Sequence, residues 1–388
     1  MTLYFATEAR FVKHAGNYYS LGGFAAELWK RYLEHFDDVV VIARVSGDKS
    51  LVRDESMLAS HPNVRFIDLP YYVGFSGFLK NMTRIRRIIS DNLVPDACYI
   101  CRLPGQIGGM VSEVLRHKGL RYACEVVGNP WDVYAKGGVS HPLRPLIRIV
   151  STLSLKRQVK GAAACLYVTG ETLQKMYPAD SEAFSIGVSD VNIPDELYAE
   201  SPKNLHSKKE YTLISVGSLD QMYKSPDVLL KAMSWLKQGG VDLRLVWLGD
   251  GRYRSDMVAL AEKLGVNAEF KGAMASDQVH EELEKADIFV LASRTEGLPR
   301  AIVEAMAHGL PCIGSRVGGI PELLDDAVLV EKENIFELAR VIEKFILTPE
   351  FADQQAKRNL QTSLLFRSAR LKQMRDTFFE YIKRQYCF

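Results

Sequence analysis

The run Ile288-Phe289-Val290-Leu291 and the fifteen or so residues after it leave little freedom in what this chain can fold into. Four consecutive apolar residues without alternation predict a strand buried on both faces, as in a parallel sheet. Gly297 and Pro299 punctuate a short loop, and the run Ala-Ile-Val-Glu-Ala-Met-Ala from Ala301 favours a helix packed on that sheet. Pro299 suits the first helical turn, where it has no N–H to lose. A helix start offers unpartnered N–H groups and the positive end of a macrodipole. Phosphate can sit there. Two carboxylates flank the spot, Glu296 in the loop and Glu304 eight positions on. Beside an anion seat they need partners that donate hydrogen bonds, and sugar hydroxyls do so. The expectation is that Glu304 takes two ribose hydroxyls and Glu296 faces a hexose. The plain alternative is a capping Glu296 and a solvated Glu304.

The same alternation runs through the chain. Strands are expected at residues 3–6, 39–43, 64–67, 97–101, 122–126, 164–169 and 183–186. Helices are expected at 24–36, 77–90, about 108–117 and 142–159. Strands alternating with helices mean a doubly wound parallel sheet. Residues 191–210 turn to Pro, Asp, Ser, Lys and Asn without periodicity and read as a linker. A second sheet follows, with strands at 211–217, 243–248, 268–271, 288–291, 311–313 and 328–330. Three helical patterns close the chain. The expected division is 1–195, 196–370 and a last helix, 371–388.

Near the start of the second half, Ser225 reads as an N-cap and Pro226 as the first residue of a helix to about 237. Lys224 is then a cation beside a helix start, an unfavourable place unless an anion is shared. Gly22-Gly23, before the helix at 24–36, would let a ligand approach the backbone. A plain tight turn explains them equally well, and no G-x-G-x-x-G follows. Glu125 and Asp132 leave a strand end and enter a Gly/Pro loop, where ligands of such sheets bind.

The net charge of +2 argues against a nucleic-acid partner. From Lys80 to Lys160, however, 14 Lys/Arg face 5 Asp/Glu. Basic residues set among Leu and Ile in two of these helices suit peripheral contact with an anionic membrane, or a solvated helix face. Cys98 and Cys101 form a C-x-x-C inside a strand, which points the thiols to opposite faces, so they read as buried hydrophobes. The sequence shows no Asp-x-Asp and no His pair at metal spacing, so neither metal nor cofactor is expected. Without a signal peptide or a long apolar run, the expected location is cytoplasmic, with an optional peripheral place on the inner membrane face.

The segment SRTEGLPRAIVEAMAHGLPCIGSRVGGIPELL resembles the donor site of the retaining glycosyltransferases of family 4, in the Glu296 to Glu304 spacing, His308-Gly309-Leu310-Pro311 and Gly318-Gly319-Ile320-Pro321-Glu322. The resemblance implies a GT-B fold, with two Rossmann-like domains facing a cleft. It implies an N-terminal acceptor domain, a C-terminal nucleotide-sugar domain, and a last helix crossing back onto the first. It implies transfer of a hexosyl unit from a nucleoside diphosphate sugar, UDP favoured over GDP, to a saccharide or lipid-linked saccharide in surface polysaccharide synthesis.

Carried over position by position, the likeness puts Lys224, Gly297, Leu298, Pro299 and Arg300 at the diphosphate, with Gly22 and Gly23 opposite. Gly249 lies near the nucleotide, and Lys271 contacts the base through its backbone. Ser218 stands where the family usually has Arg, and Val127 where many members have His. Arg300 or Arg252 would replace the missing cation, and Asp132 or Glu125 the missing polar contact. Glu296 would orient sugar hydroxyls and not act as a nucleophile, while the leaving phosphate helps deprotonate the acceptor. The rival expectations are a nucleotide-sugar epimerase of the same fold and a non-catalytic donor-binding subunit of a polysaccharide assembly complex.

Overall fold

A computed structural model describes residues 1–52, 55–134, 143–205, 208 and 210–386. The first sheet is built from β1 (Thr2–His14), β2 (Asn17–Ser20), β3 (Asp38–Ser46), β4 (Val64–Pro70), β5 (Cys98–Leu103), β6 (Ala123–Val126), β7 (Ala164–Tyr167) and β8 (Phe184–Gly187). The helices between them are α1 (Ala26–Leu33), α2 (Gly74–Asn92), α3 (Gln106–His117), the short α4 (Pro130–Val133), α5 (Arg144–Lys160) and α6 (Thr172–Met176). The strands run in the order β4-β3-β1-β5-β6-β7-β8, all parallel along that path. Both faces of this sheet are covered. Leu3 and Phe5 face one core and Ala6 the other, so β1 reads as continuously apolar instead of alternating.

The second sheet has β9 (Tyr211–Val216), β10 (Leu243–Leu248), β11 (Asn267–Gly272), β12 (Ile288–Leu291), β13 (Cys312–Ser315) and β14 (Leu329–Val330), in the order β11-β10-β9-β12-β13-β14. Its helices are α7 (Pro226–Gln238), α8 (Arg254–Leu264), α9 (Ser276–Lys285), α10 (Arg300–Ala307) and α11 (Ile320–Leu323). Three more complete the chain: α12 (Ile335–Leu347), α13 (Pro349–Ser363) and α14 (Ser368–Tyr386). In both sheets the strand order reverses beside the first strand, and at such a switch point ligands bind outside the carboxyl ends.

Helix α14 packs on β5, β7 and β8 of the first sheet. Phe379 lies 5.4 Å from the Tyr32 ring, and Tyr381 stacks on Phe184 at 4.7 Å. Leu371, Phe378, Phe379 and Ile382 are buried there. At about 1.5–3 kcal/mol per buried large side chain, they fasten the end of the chain to its beginning.

Two expectations need correction. The first strand does not end at residue 6 before a loop. It runs to His14, turns through Ala15 and Gly16 at φ 48° and 81°, and returns as β2, an antiparallel hairpin. Two consecutive positive φ values are the signature of the tight turn that suits strand twist. The basic helix expected from 142 begins at Arg144, and residue 142 lies outside the described residues. The five described cysteines are buried, with Cys98 in one core and Cys101 in the other.

Candidate functional site

Strand β12 ends at Leu291, and the chain crosses to α10 through Ser293–Pro299. Pro299 is the N-cap of α10, one place earlier in the helix than expected. The helix buries Ile302, Val303, Ala305, Met306 and Ala307. Glu304 and Ala301, one turn apart, stay half-buried, and Arg300 is exposed.

The loop is held from several sides. Gly297 presses on the first lobe, where an added Cβ would lie 2.6 Å from the Val127 carbonyl oxygen. Gly319 N–H donates to the Gly297 carbonyl at 2.7 Å. Leu298 packs against both cores and is a wedge between the lobes. Val127, which the resemblance sets where many members have His, thus lies directly against the loop that bears Glu296.

Lys224 closes a single 3-10 turn, Met222–Lys224, just before α7. Its stem lies over Gly217, where an added Cβ would come within 2.6 Å of the Lys224 Cγ. The Lys224 ammonium donates to Glu296 Oε1 at 2.7 Å, and Ser293 Oγ donates to the same oxygen at 2.5 Å. The structure therefore brings together the two residues that sequence placed 72 positions apart. The Glu296 side chain is 8% exposed and that of Lys224 24%.

Arg294 fixes this arrangement, and sequence reasoning missed it. Its guanidinium grips Asp227 with two 3.0 Å hydrogen bonds and donates to the Met222 carbonyl at 2.7 Å and to Glu333 at 2.7 Å. Its backbone N–H donates to the Tyr223 carbonyl at 2.7 Å. Burial alone would lower the Arg294 guanidinium, but its hydrogen bonds to Asp227 and Glu333 reverse the sign and hold it above its ordinary value. The only local hint was an arginine beside Thr295-Glu296-Gly297; its partners are remote in sequence. Ser225 is the N-cap of α7 as expected, but at φ 52° its hydroxyl makes no capping bond.

A cleft of about 990 Å³ reaches Gly217, over which the Lys224 stem lies, but Lys224, Glu296 and Glu304 do not themselves line it. Gly22 and Gly23 line it from the first lobe, with Arg10 and Tyr71. Ser218, Gly249, Gly251 and Arg252 line it from the second. Ser20 Oγ accepts from the N–H groups of Gly22 and Phe24 and shapes the glycine turn. Ser218 is exposed and offers only a hydroxyl, so Arg10 and Arg252 are the cations of this cleft. The Lys271 side chain is engaged with Glu282 at 2.6 Å, which leaves its backbone for any ligand.

The other carboxylates fare differently. Asp132 is half-buried in α4 and accepts from Asn129 Nδ2 at 2.6 Å. Glu125 is engaged in the interior of the first lobe and does not line the cleft. It is 4% exposed, accepts from the Tyr32 hydroxyl at 2.9 Å and from Arg102 at 2.7 Å, and Arg102 also grips Asp190 at 2.5 Å. The strand-end position suggested ligand contact, but Glu125 faces into the α1 side of the sheet. Its charge is spent on a buried network. Burial first, and then the Glu125 charge, push the Tyr32 hydroxyl far above its ordinary range. Among the described residues, Glu34, His35 and Asp376 could approach a metal, but Lys372 already pairs with Glu34 and Asp376.

This geometry has relatives. Residues 199–362 match the family model described as glycosyl transferases group 1. Protein CapJ of Staphylococcus aureus is 26% identical over 363 residues, covering 92% of this chain and 90% of CapJ. Among solved structures, sucrose-phosphate synthase from Thermosynechococcus elongatus aligns with a TM-score of 0.73 at 15% identity, over 99% of this chain and 100% of that one. HepE from Anabaena, solved with UDP and glucose, aligns with a TM-score of 0.66 at 16% identity, over 98% and 99% of the two chains. At these identities the structural likeness speaks for the fold alone, which is GT-B.

Proposed function

Since residues 199–362 form a group 1 glycosyltransferase domain, we propose that this protein moves a hexosyl unit from a nucleoside diphosphate sugar to a hydroxyl of a saccharide or lipid-linked saccharide, with retention at the anomeric carbon. The observation that carries the reading is the Lys224–Glu296 pair beside a helix start, with Gly217 under the Lys224 stem also lining an interlobe cleft. UDP is favoured as the nucleotide because the fold neighbour HepE was solved with it. The reading also takes residues 1–195 as the acceptor side and 196–370 as the donor side.

In this account the diphosphate meets Lys224, the first N–H groups of α10 and the glycine turns at Gly22-Gly23 and Gly297. Fixed donors aimed at developing charge are worth most where water is excluded. Arrival of the anion draws Lys224 away from Glu296. Glu296 is then free to accept from hexose hydroxyls, and Glu304 from the ribose. The bond from the anomeric carbon to the phosphate oxygen breaks as the bond to the acceptor oxygen forms on the same face. The acceptor proton passes to the departing phosphate oxygen. Lys224 and the helix end balance the leaving charge, so no divalent ion is required. Asp132 or a backbone carbonyl such as that of Val127 positions the sugar where other members use His.

Thermal-shift screening with UDP-, GDP- and ADP-sugars tests donor class, and mass analysis of products with and without acceptor tests transfer. Binding without turnover would favour a donor-binding subunit, and free sugar or altered nucleotide sugar an epimerase.

A further inference from the structure

The donor reading makes no use of the outer face of the first lobe, where α3 packs against both α2 and α5. A groove of about 440 Å³ lies there. Phe78 and Met82 of α2, Met110 of α3 and Leu146 and Val150 of α5 give it apolar walls. Its inner end reaches Pro104 after β5 and Pro130 after β6. Those are carboxyl ends of strands, the same edge at which Val127 meets Gly297. Along the same face of α5, Leu146, Ile149, Val150 and Leu153 are between 49% and 60% exposed. Their spacing of three, four and seven sets them in one stripe along α5. Single apolar residues on a surface are ordinary, but a contiguous patch marks a partner.

Charge identifies the partner. Helix α5 carries Arg144, Arg148, Lys156, Arg157 and Lys160 and no acidic residue. Helix α2 carries Lys80, Arg84, Arg86 and Arg87, with Asp91 as its one acid, 3.7 Å from Arg87. In a chain of net charge +2 this is a concentrated basic frame around an apolar face. A protein partner would need a matching acidic rim around an apolar core, whereas an anionic lipid surface offers both by its nature.

We propose that this groove seats the hydrocarbon chain of a lipid-linked acceptor, with the Leu146–Leu153 stripe in the apolar layer of the membrane and the α2 and α5 cations on anionic head groups. A chain lying in the groove leaves its polar head at Pro104 and Pro130, next to the Val127–Gly297 contact. The inference rests on the transferase reading, since it names the class of the acceptor.

The test is calorimetric titration of the full chain with monomeric hexyl, octyl and decyl phosphate, with inorganic phosphate as head-group control. Affinity should rise about fourfold per added methylene. That rise should disappear in Val150→Glu and in Ser151→Trp, which fills the groove. Vesicles containing phosphatidylglycerol should bind the wild type and release Leu153→Glu. Affinity independent of chain length would overturn the proposal. So would vesicle binding with no response to monomeric alkyl phosphates, or a dimer that Leu153→Glu dissociates. Failure to bind UDP in a parallel titration would instead remove the transferase reading and leave the chain-length result standing.

Discussion

The Glu322 carboxylate of the second lobe accepts a 2.6 Å hydrogen bond from the backbone N–H of Thr172 in the first. It also accepts from Gly170 at 2.6 Å and Glu171 at 3.2 Å. The N-cap residue of α6 makes no side-chain cap, and beside Thr169 Oγ1, which accepts from the Leu173 N–H, the carboxylate from the other lobe satisfies the helix start. Glu322 lies just beyond Gly319, whose N–H holds the Gly297 carbonyl. One contact therefore ties lobe closure to the loop that bears Glu296. Glu322→Ala should lower stability by about 1–2 kcal/mol and enlarge the radius of gyration in solution scattering. Glu322→Gln, which keeps one acceptor oxygen, should fall between. An unchanged scattering profile for both would show that the contact does not hold the lobes.

Arg294 should behave as a positioning residue. Arg294→Lys keeps the charge but loses the two-pronged grip on Asp227. The Lys224–Glu296 pair would then be set less firmly. The expected result is a fall in turnover larger than any rise in KM, with the melting temperature reduced only slightly. Steady-state kinetics read beside calorimetric unfolding separate this from simple destabilisation.

Glu125 should report on stability instead of chemistry. Glu125→Ala leaves the buried Tyr32 hydroxyl without its acceptor and Arg102 with Asp190 alone, and should cost about 1–3 kcal/mol in denaturant unfolding. Glu125→Gln still accepts a hydrogen bond and should cost less. Loss of turnover in a Glu125→Gln protein of normal stability would return this residue to the site.

Acid should weaken the second lobe through His308. Burial, then the neighbouring His280 and Lys203, lower His308 to about 4. Its Nε2 lies 2.9 Å from His280 Nδ1. The folded state prefers the neutral ring, while the unfolded chain takes up a proton near pH 6.5. Stability from this group is therefore whole above about 6.5 and lost as pH falls toward 4, by on the order of 3 kcal/mol at most. Urea unfolding at pH 7 and pH 5 checks this, and His308→Gln should flatten the difference.

Much of this molecule could be read before any coordinates. Strands Leu243–Leu248 and Ile288–Leu291 fall where the apolar runs placed them, because a strand buried on both faces is written as a contiguous run. The β1–β2 hairpin was not legible. Its turn uses Ala15 in a left-handed conformation, without the Asn-Gly pair that announces such turns. Lys224 and Glu296 could each be placed beside a helix start by a local signature, but their direct ion pair, across 72 positions, could not be read. Glu125 could not be placed, since Arg102 and Asp190 reach it only through the sheet and the chain beyond it. Arg294 was invisible for the same reason: Asp227 lies 67 positions away.

The central claim is that Lys224, Glu296 and Glu304 together hold an activated sugar. The most direct measurement is calorimetric titration of UDP-glucose into the wild type and into Lys224→Ala and Glu304→Ala. The account predicts saturable binding to the wild type, and at least a tenfold loss, about 1.4 kcal/mol, in each variant. Equal affinity in all three proteins, or no nucleotide sugar bound by the wild type, would contradict it.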